Sequence, residues 1–283
     1  GNVVLLNLNK DLGKFVRSRP LDSVISHLKH MVDDYGVEMF FLLDECFLAK
    51  PKRWLIELAE KYRAEIAKPF IIQTRSETLT EEKIEILNSF GAPHYQVSIG
   101  VESGSEEILH EVADRESKVE NVIKAFDLLH KHNIRSSAYF MVGIPFETRE
   151  DIFKSIELCR RINPTVMSVN IFQPLPGQPL TDRCIKEGFI TGEEPLSTFT
   201  ETSVLKMPQI TSEQIVTLRN LFALYAKLPK DKWPEIEKIE MNFEGEQELY
   251  RELVELRWQL DPGMRTIGKE NPSERRLMEE PTY

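Results

Sequence analysis

The sequence predicts an α/β fold: a barrel of parallel strands wrapped by helices over residues 1–190, followed by a mainly helical C-terminal extension over residues 191–283. Three observations lead there. Short apolar runs alternate with amphipathic stretches through residues 3–190 at intervals of roughly 30 residues, the length of a βαβ unit. Polar turns follow several different strands, as at the mouth of a barrel, instead of collecting behind the first. A doubly wound dinucleotide fold is the alternative for such units, and no G-x-G-x-x-G is present to support it.

Length and composition set the outer limits. A chain of 283 residues with 41% hydrophobic and 29% charged residues is ample for a large core, and no apolar run approaches the roughly 18 residues of a membrane span. The run VVLLNL is too short for a signal peptide and is followed by Asn9-Lys10-Asp11, so a cytoplasmic location is expected. A net charge of -10 excludes a general nucleic-acid binder, which needs clustered Lys and Arg; Lys14, Arg17 and Arg19 form one small basic patch. Cys46, Cys159 and Cys184 are far apart and lack metal-ligand spacing. Cys159 falls in the apolar pattern of a helix and reads as core. His27 and His30 share a helix face without a third ligand in reach of the pattern, so no metal site is assigned.

Taken in order, residues 3–8 read as a first strand and Lys10-Asp11-Leu12-Gly13-Lys14 as an irregular link. A helix with apolar Val24, Ile25, Leu28, Met31 and Val32 ends at Gly36, a suitable C-cap. Residues 37–43 are apolar apart from Glu38 and read as a strand buried on both faces, ending in Asp44-Glu45. A helix bearing Leu55, Ile56, Leu58 and Ala59 follows. Residues 70–74 form a strand ending in Arg75-Ser76-Glu77, and Thr80 caps the next helix.

The chain's organising stretch runs from Gly91 to Glu116. Tyr95, Val97, Ile99 and Val101 alternate as in a buried strand, which gives way to Glu102-Ser103-Gly104-Ser105 and a helical pattern. Such a turn offers a carboxylate, hydroxyls and free N–H groups where ligands sit in parallel α/β folds; a plain capping role for Ser105 is the alternative. Helical segments at 105–113 and 118–132, a strand at 134–142, the turn Gly143-Ile144-Pro145-Phe146-Glu147-Thr148, a further helix and a strand at 165–172 complete the alternation. The prolines of 174–179 stop that last strand. Beyond Gly192 come an irregular connection with a short strand at 203–205, a helix capped by Thr211 and broken by residues 229–234, a charged helix at 247–260 and a loosely ordered last twenty residues.

Four of these pieces, in order and spacing, resemble the radical S-adenosylmethionine (radical SAM) enzymes: Leu43-Asp44-Glu45-Cys46-Phe47 with the preceding Tyr35-Gly36, then Gly100-Val101-Glu102-Ser103-Gly104-Ser105, then 142–148, then Pro174-Leu175-Pro176-Gly177-Gln178-Pro179-Leu180. The resemblance spans nearly the whole chain and implies a partial (β/α)6 TIM-like barrel that binds S-adenosylmethionine in its mouth. It implies that Asp44 and Glu45 meet the methionine amino group, Arg75 its carboxylate, Glu102 and Ser103 the ribose, and Gly143 with Phe172 and Gln173 the adenine. Residues 221–230 resemble the tail of the cobalamin-binding subgroup, which implies cobalamin as a further cofactor and a cobalamin-binding domain upstream. The implied partners are a small-molecule or peptide substrate and an electron donor such as flavodoxin or ferredoxin. The implied reaction is reductive cleavage of S-adenosylmethionine to a 5′-deoxyadenosyl radical for C–H activation, with methyl transfer or rearrangement to follow.

One departure bears on the chemistry. The family holds a [4Fe–4S] cluster on a C-x-x-x-C-x-x-C loop after the first strand, and residues 8–14 contain no cysteine. Three accounts stand open: a stretch missing between Leu8 and Phe15, a fragment whose first strand belongs to another domain, or a degenerate, non-catalytic barrel that binds a nucleoside-like ligand or a protein partner. An ordinary aldolase or lyase barrel lacks support, because no paired carboxylate and lysine constellation is visible.

Overall fold

The computed structural model describes residues 19–115, 117–194 and 198–261. Five strands among them form one sheet in strictly sequential order: β1 (Phe40–Leu42), β2 (Phe70–Thr74), β3 (Tyr95–Glu102), β4 (Arg135–Val142) and β5 (Val166–Ile171). β1 and β3 flank β2 in parallel, with Phe40 opposite Phe70 and Ile72 opposite Val97. A doubly wound sheet reverses direction at a switch point; this order has none, and it is the order in which consecutive βα units build a barrel wall. The expected strand at 3–8, Lys14, Arg17 and the last twenty residues lie outside the described residues. Arg19 donates to the carbonyl and hydroxyl of Ser23.

The chain packs as two compact units. The first holds described residues 19–101, 120–138 and 177–179; the second holds 102–119, 139–176 and the described residues from 180 onward. The limit expected at residue 190 coincides with no boundary of either unit.

In the first unit, helices α1 (Leu21–Tyr35), α2 (Lys52–Glu65) and α3 (Glu81–Asn88) follow from their apolar spacing. Gly36, at φ +65°, ends α1 in the left-handed conformation that glycine adopts without strain. Tyr62, Phe70 and Phe90 form an aromatic cluster with centroids 5.0–5.5 Å apart. Helix α4 (Val119–Lys131) buries Val122, Ala125, Phe126 and Leu129. The strand expected at 37–43 is shorter and is not buried on both faces: only 40–42 pair, and Phe41 and Leu43 are 44% and 73% exposed. β1 ends the described sheet, so side chains on that face lack the flanking row a second neighbour would supply.

The second unit carries a π-helix (Ile108–Val112), then α5 (Arg149–Ile162), α6 (Pro179–Lys186), α7 (Ser212–Lys227), α8 (Trp233–Met241) and α9 (Gln247–Leu260). Capping boxes start α5 at Thr148 and α7 at Thr211. Phe222 of α7 packs on Phe140 at 5.2 Å, and Arg149 of α5 grips Glu240 of α8 through two N–H donors at 2.6 and 2.9 Å. Residues 203–205 form no strand; the extended segment there is tied back by Lys206 N–H donating to the Phe189 carbonyl at 2.9 Å.

Candidate functional site

In the first unit, Asp44 and Glu45 follow β1 and Arg75 follows β2. Asp44 pairs with Lys50 at 3.0 Å, so one carboxylate of the two already has an ammonium partner. Glu45 is exposed and caps neither following helix: Cys46 and Pro51 hold those positions without a side-chain bond. Arg75, 43% exposed, lies 3.6 Å from Glu77 in a contact of little energetic weight.

In the second unit the turn after β3 is built from the inside. Glu102 sits at φ +66°, a conformation costly for a residue with a long side chain and most often kept at functional turns. Its Oε1 accepts from Arg115 Nη1 at 2.8 Å. Ser103 is fully buried and its hydroxyl faces the turn, accepting from Ser105 N–H at 3.1 Å and lying 3.4 Å from the Ser155 hydroxyl. Ser103 therefore holds the turn, and Glu102 alone of that pair is half-buried and within reach of a ligand. Ser105 donates to Asp151 Oδ1 at 2.8 Å. Burial works against the Asp151 charge, but Lys154, Thr148 and Ser105 hold its carboxyl down to about 2.

Gly104 is required for packing. A Cβ there would lie 2.4 Å from the Lys154 carbonyl oxygen and 2.7 Å from Ser155 Cα, so this glycine lets the turn approach the backbone of α5 closely.

The turn after β4 is closed by Glu147. This fully buried carboxyl accepts from Gly143 N–H at 2.6 Å and Ile144 N–H at 3.2 Å through Oε2, while Oε1 has no partner. Burial pushes it up to about 8 against the opposing pull of those two donors. Gly143 at φ +71° and Phe146 at φ +69° complete the bend; the Phe146 ring is held between Phe189 at 5.1 Å and the Arg183 guanidinium at 4.3 Å. After β5, Phe172 N–H donates to the Val142 carbonyl at 2.9 Å, which ties the ends of β4 and β5 together. Gln173 turns its amide to the Thr202 carbonyl at 2.9 Å.

Arg115 is the site residue that sequence reasoning missed. It lies in none of the motifs, and it stands three residues after the π-helix, beside Glu102.

The donor set, taken unit by unit, offers groups that a nucleoside with an amino-acid tail would use: in the first unit, carboxylates after β1 and a guanidinium after β2; in the second, a carboxylate at the end of β3 and a turn of backbone after β4. It does not suit an iron–sulfur cluster. Cys159 and Cys184 are buried, and burial pushes their thiols up to about 12 and 11, away from the thiolate form a cluster takes. Cys46 lies 3.5 Å from the Thr74 hydroxyl, and among the described residues no three His, Cys, Asp or Glu come together as metal ligands. His30 pairs with Asp34 at 2.5 Å. No helix among the described residues is long and apolar enough to cross a membrane.

Comparison with known proteins bears on this arrangement directly. The sequence model of the Radical SAM superfamily matches residues 9–159. An uncharacterized methyltransferase from Pyrococcus horikoshii is 25% identical over 231 residues, covering 81% of this chain and 50% of the relative. Cytidylyl-2-hydroxyethylphosphonate methyltransferase from Streptomyces wedmorensis is 23% identical, over 74% of this chain and 40% of its own. The chain thus spans half or less of the length of these relatives. Among solved structures, the radical S-adenosylmethionine methyltransferase TsrM from Kitasatospora setae, with cobalamin and a [4Fe–4S] cluster bound, shares the fold at a TM-score of 0.52 and 17% identity, over 60% of this chain and 32% of that one. With strands in sequential order, polar turns at their ends and a family match over more than half its length, the chain belongs to the radical SAM superfamily of enzymes.

Proposed function

We propose that this chain is the S-adenosylmethionine-binding core of a radical SAM methyltransferase, and that the longer protein uses cobalamin as methyl carrier. Two relatives named as methyltransferases and a cobalamin-bound methyltransferase of the same fold support that reading. The observation that carries the binding site is Glu102: a carboxylate on a strained residue at the C-terminal end of β3, its Oε1 held by Arg115.

When bound, S-adenosylmethionine supplies a methyl group activated by its sulfonium. The chain's own share is to bind and orient. Glu102 accepts from the ribose hydroxyls, Asp44 and Glu45 attract the ammonium, and Arg75 pairs with the carboxylate. The turn closed by Glu147 presents backbone to the adenine. An organic substrate and a low-potential donor such as flavodoxin or ferredoxin complete the reaction in the longer protein. Cluster thiolates are not furnished by Cys46, Cys159 or Cys184, so no electron-transfer step is assigned to these residues.

Calorimetric titration with S-adenosylmethionine tests the site. Glu102→Ala is expected to weaken binding by about tenfold or more, the worth of a hydrogen bond to a charged group. Unchanged affinity would remove the ribose assignment.

A second reading, a ligand-binding barrel without radical chemistry, is favoured by the cysteines alone. Iron and sulfide analysis of the longer protein after anaerobic reconstitution separates the two: about four irons per molecule would support the enzyme, and none, with S-adenosylmethionine still bound, the binding protein.

A further inference from the structure

We infer that the sheet face turned away from the helices in the first unit binds the organic substrate, and that this substrate is an acid with an apolar body. Its carboxylate pairs with Arg135, and its alkyl or aromatic body lies on Phe41 and Ile71. The inference rests on the reading of the chain as the core of an enzyme that acts on an organic molecule, and it is independent of the role given to Glu102.

The aromatic cluster shows which face this is. Phe70 packs on Tyr62 of α2 at 5.5 Å and stacks on Tyr95 at 5.3 Å, so the row Phe40, Phe70, Tyr95 turns to the helices. Side chains alternate along a strand, and the next row in the same register, Phe41, Ile71 and Gln96, therefore takes the opposite face. Arg135, the first residue of β4, extends that row by donating from Nε to Gln96 Oε1 at 3.1 Å. Gln96 is buried and donates in turn to the Ser98 hydroxyl at 3.5 Å. Held at both ends, its amide fixes the plane of the guanidinium.

The row is graded from apolar to cationic. Phe41 and Ile71 stand at one end and Arg135 at the other, and neither this row nor the next, with Gln73 opposite Ser98, holds a carboxylate. Burial works against the Arg135 charge, and an anion brought to a partly desolvated cation gains a charge-assisted bond. A guanidinium has five N–H donors in a flat fork that matches a carboxylate, so the bond to Gln96 does not exhaust it. At the apolar end Phe41 is exposed, with Met39 and Leu43 exposed beside it, a surface that gains from being covered. Strands lie about 4.8 Å apart, which puts Phe41 roughly 10 Å from Gln96 and 14 Å from Arg135, the length of a phenylalkanoic acid. Ile71 precedes Arg75 by four residues, about 13 Å along β2, so the acid and the methionine tail of the nucleoside share no residue there.

The experiment titrates the chain, without S-adenosylmethionine, with 4-phenylbutyrate, its neutral amide and acetate. The acid is expected to bind about tenfold or more tightly than the amide, and acetate, which lacks the body, far more weakly than the acid. Arg135→Gln should remove the preference for acid over amide, and Arg135→Lys, with charge but no fork, should keep part of it. Phe41→Ala should weaken acid and amide alike by about three- to tenfold. S-adenosylmethionine is titrated into the same variants and should bind each as it binds the parent. Equal affinity for acid and amide in the unaltered chain, or a preference that survives Arg135→Gln, overturns the assignment. A loss of S-adenosylmethionine affinity in both Arg135 variants overturns it as well, whereas unchanged S-adenosylmethionine binding in Glu102→Ala would remove the ribose assignment and leave this one standing.

Discussion

Glu147 shows how a single buried group can set the pH response of a turn. A lone carboxylate oxygen without a partner is poorly tolerated in the interior, and the carboxyl answers by holding its proton, so that it titrates near 8. In the unfolded chain it returns to about 4.3. Between those values the folded state carries a proton the unfolded state has lost, so stability falls as pH rises through this window. Asp151 acts in the opposite sense: with its carboxyl held down to about 2, its contribution is present above about pH 4 and is lost as pH falls toward 2. Glu147→Gln is therefore expected to flatten the decline in melting temperature between pH 5 and 8 while leaving the acid-side loss intact. Parallel curves for the two proteins across pH 5–8 would mean that Glu147 is charged in the fold. The sequence placed Glu147 in a ligand-facing turn, but not its burial, because nothing local tells whether a glutamate beside Gly-Ile-Pro-Phe points to water or underneath its own backbone.

At the scale of elements, legibility followed the length and periodicity of the pattern. Strand β2 was read at its observed limits, 70–74, and β4 and β5 to within a residue at each end, since each alternates and stops at turn chemistry. Two helices escaped for one reason. Pro179 and Pro234 read as breakers, yet each stands in the first turn of a helix, α6 and α8, where a missing N–H costs nothing. The π-helix escaped because its apolar residues fit an α-helical stripe equally well. Gly104 was legible as part of the turn after β3, and its packing against α5 was not, because the two are about fifty residues apart in the chain. Because a methyl group there would meet the α5 backbone, Gly104→Ala should destabilise the protein by about 1–3 kcal/mol through overpacking. Thermal melting checks this, and a variant as stable as the parent would show that the turn can lift off α5.

For the whole molecule, fold and chemistry separate along the cysteines. The α/β architecture could be read because every βα unit repeats the same burial logic, and the family could be read because four turns keep their order. The cluster is another matter: it needs three thiolates within a few ångströms of one another, a demand no helix or strand pattern encodes. Cys159 is fully buried on α5 and Cys184 on α6, where each serves as a small apolar side chain, while Cys46 is half-buried in a turn. A thiol held near 11 or 12 and shielded from water reacts slowly with a disulfide reagent, which attacks only through the thiolate. In the native chain, titration with a coloured aromatic disulfide should accordingly register one fast thiol, lost in Cys46→Ser, and three after denaturation. Anaerobic iron and sulfide should leave that fast thiol accessible. If instead iron binds and protects all three thiols together, then Cys46, Cys159 and Cys184 meet in solution, and radical generation moves onto the residues of this chain.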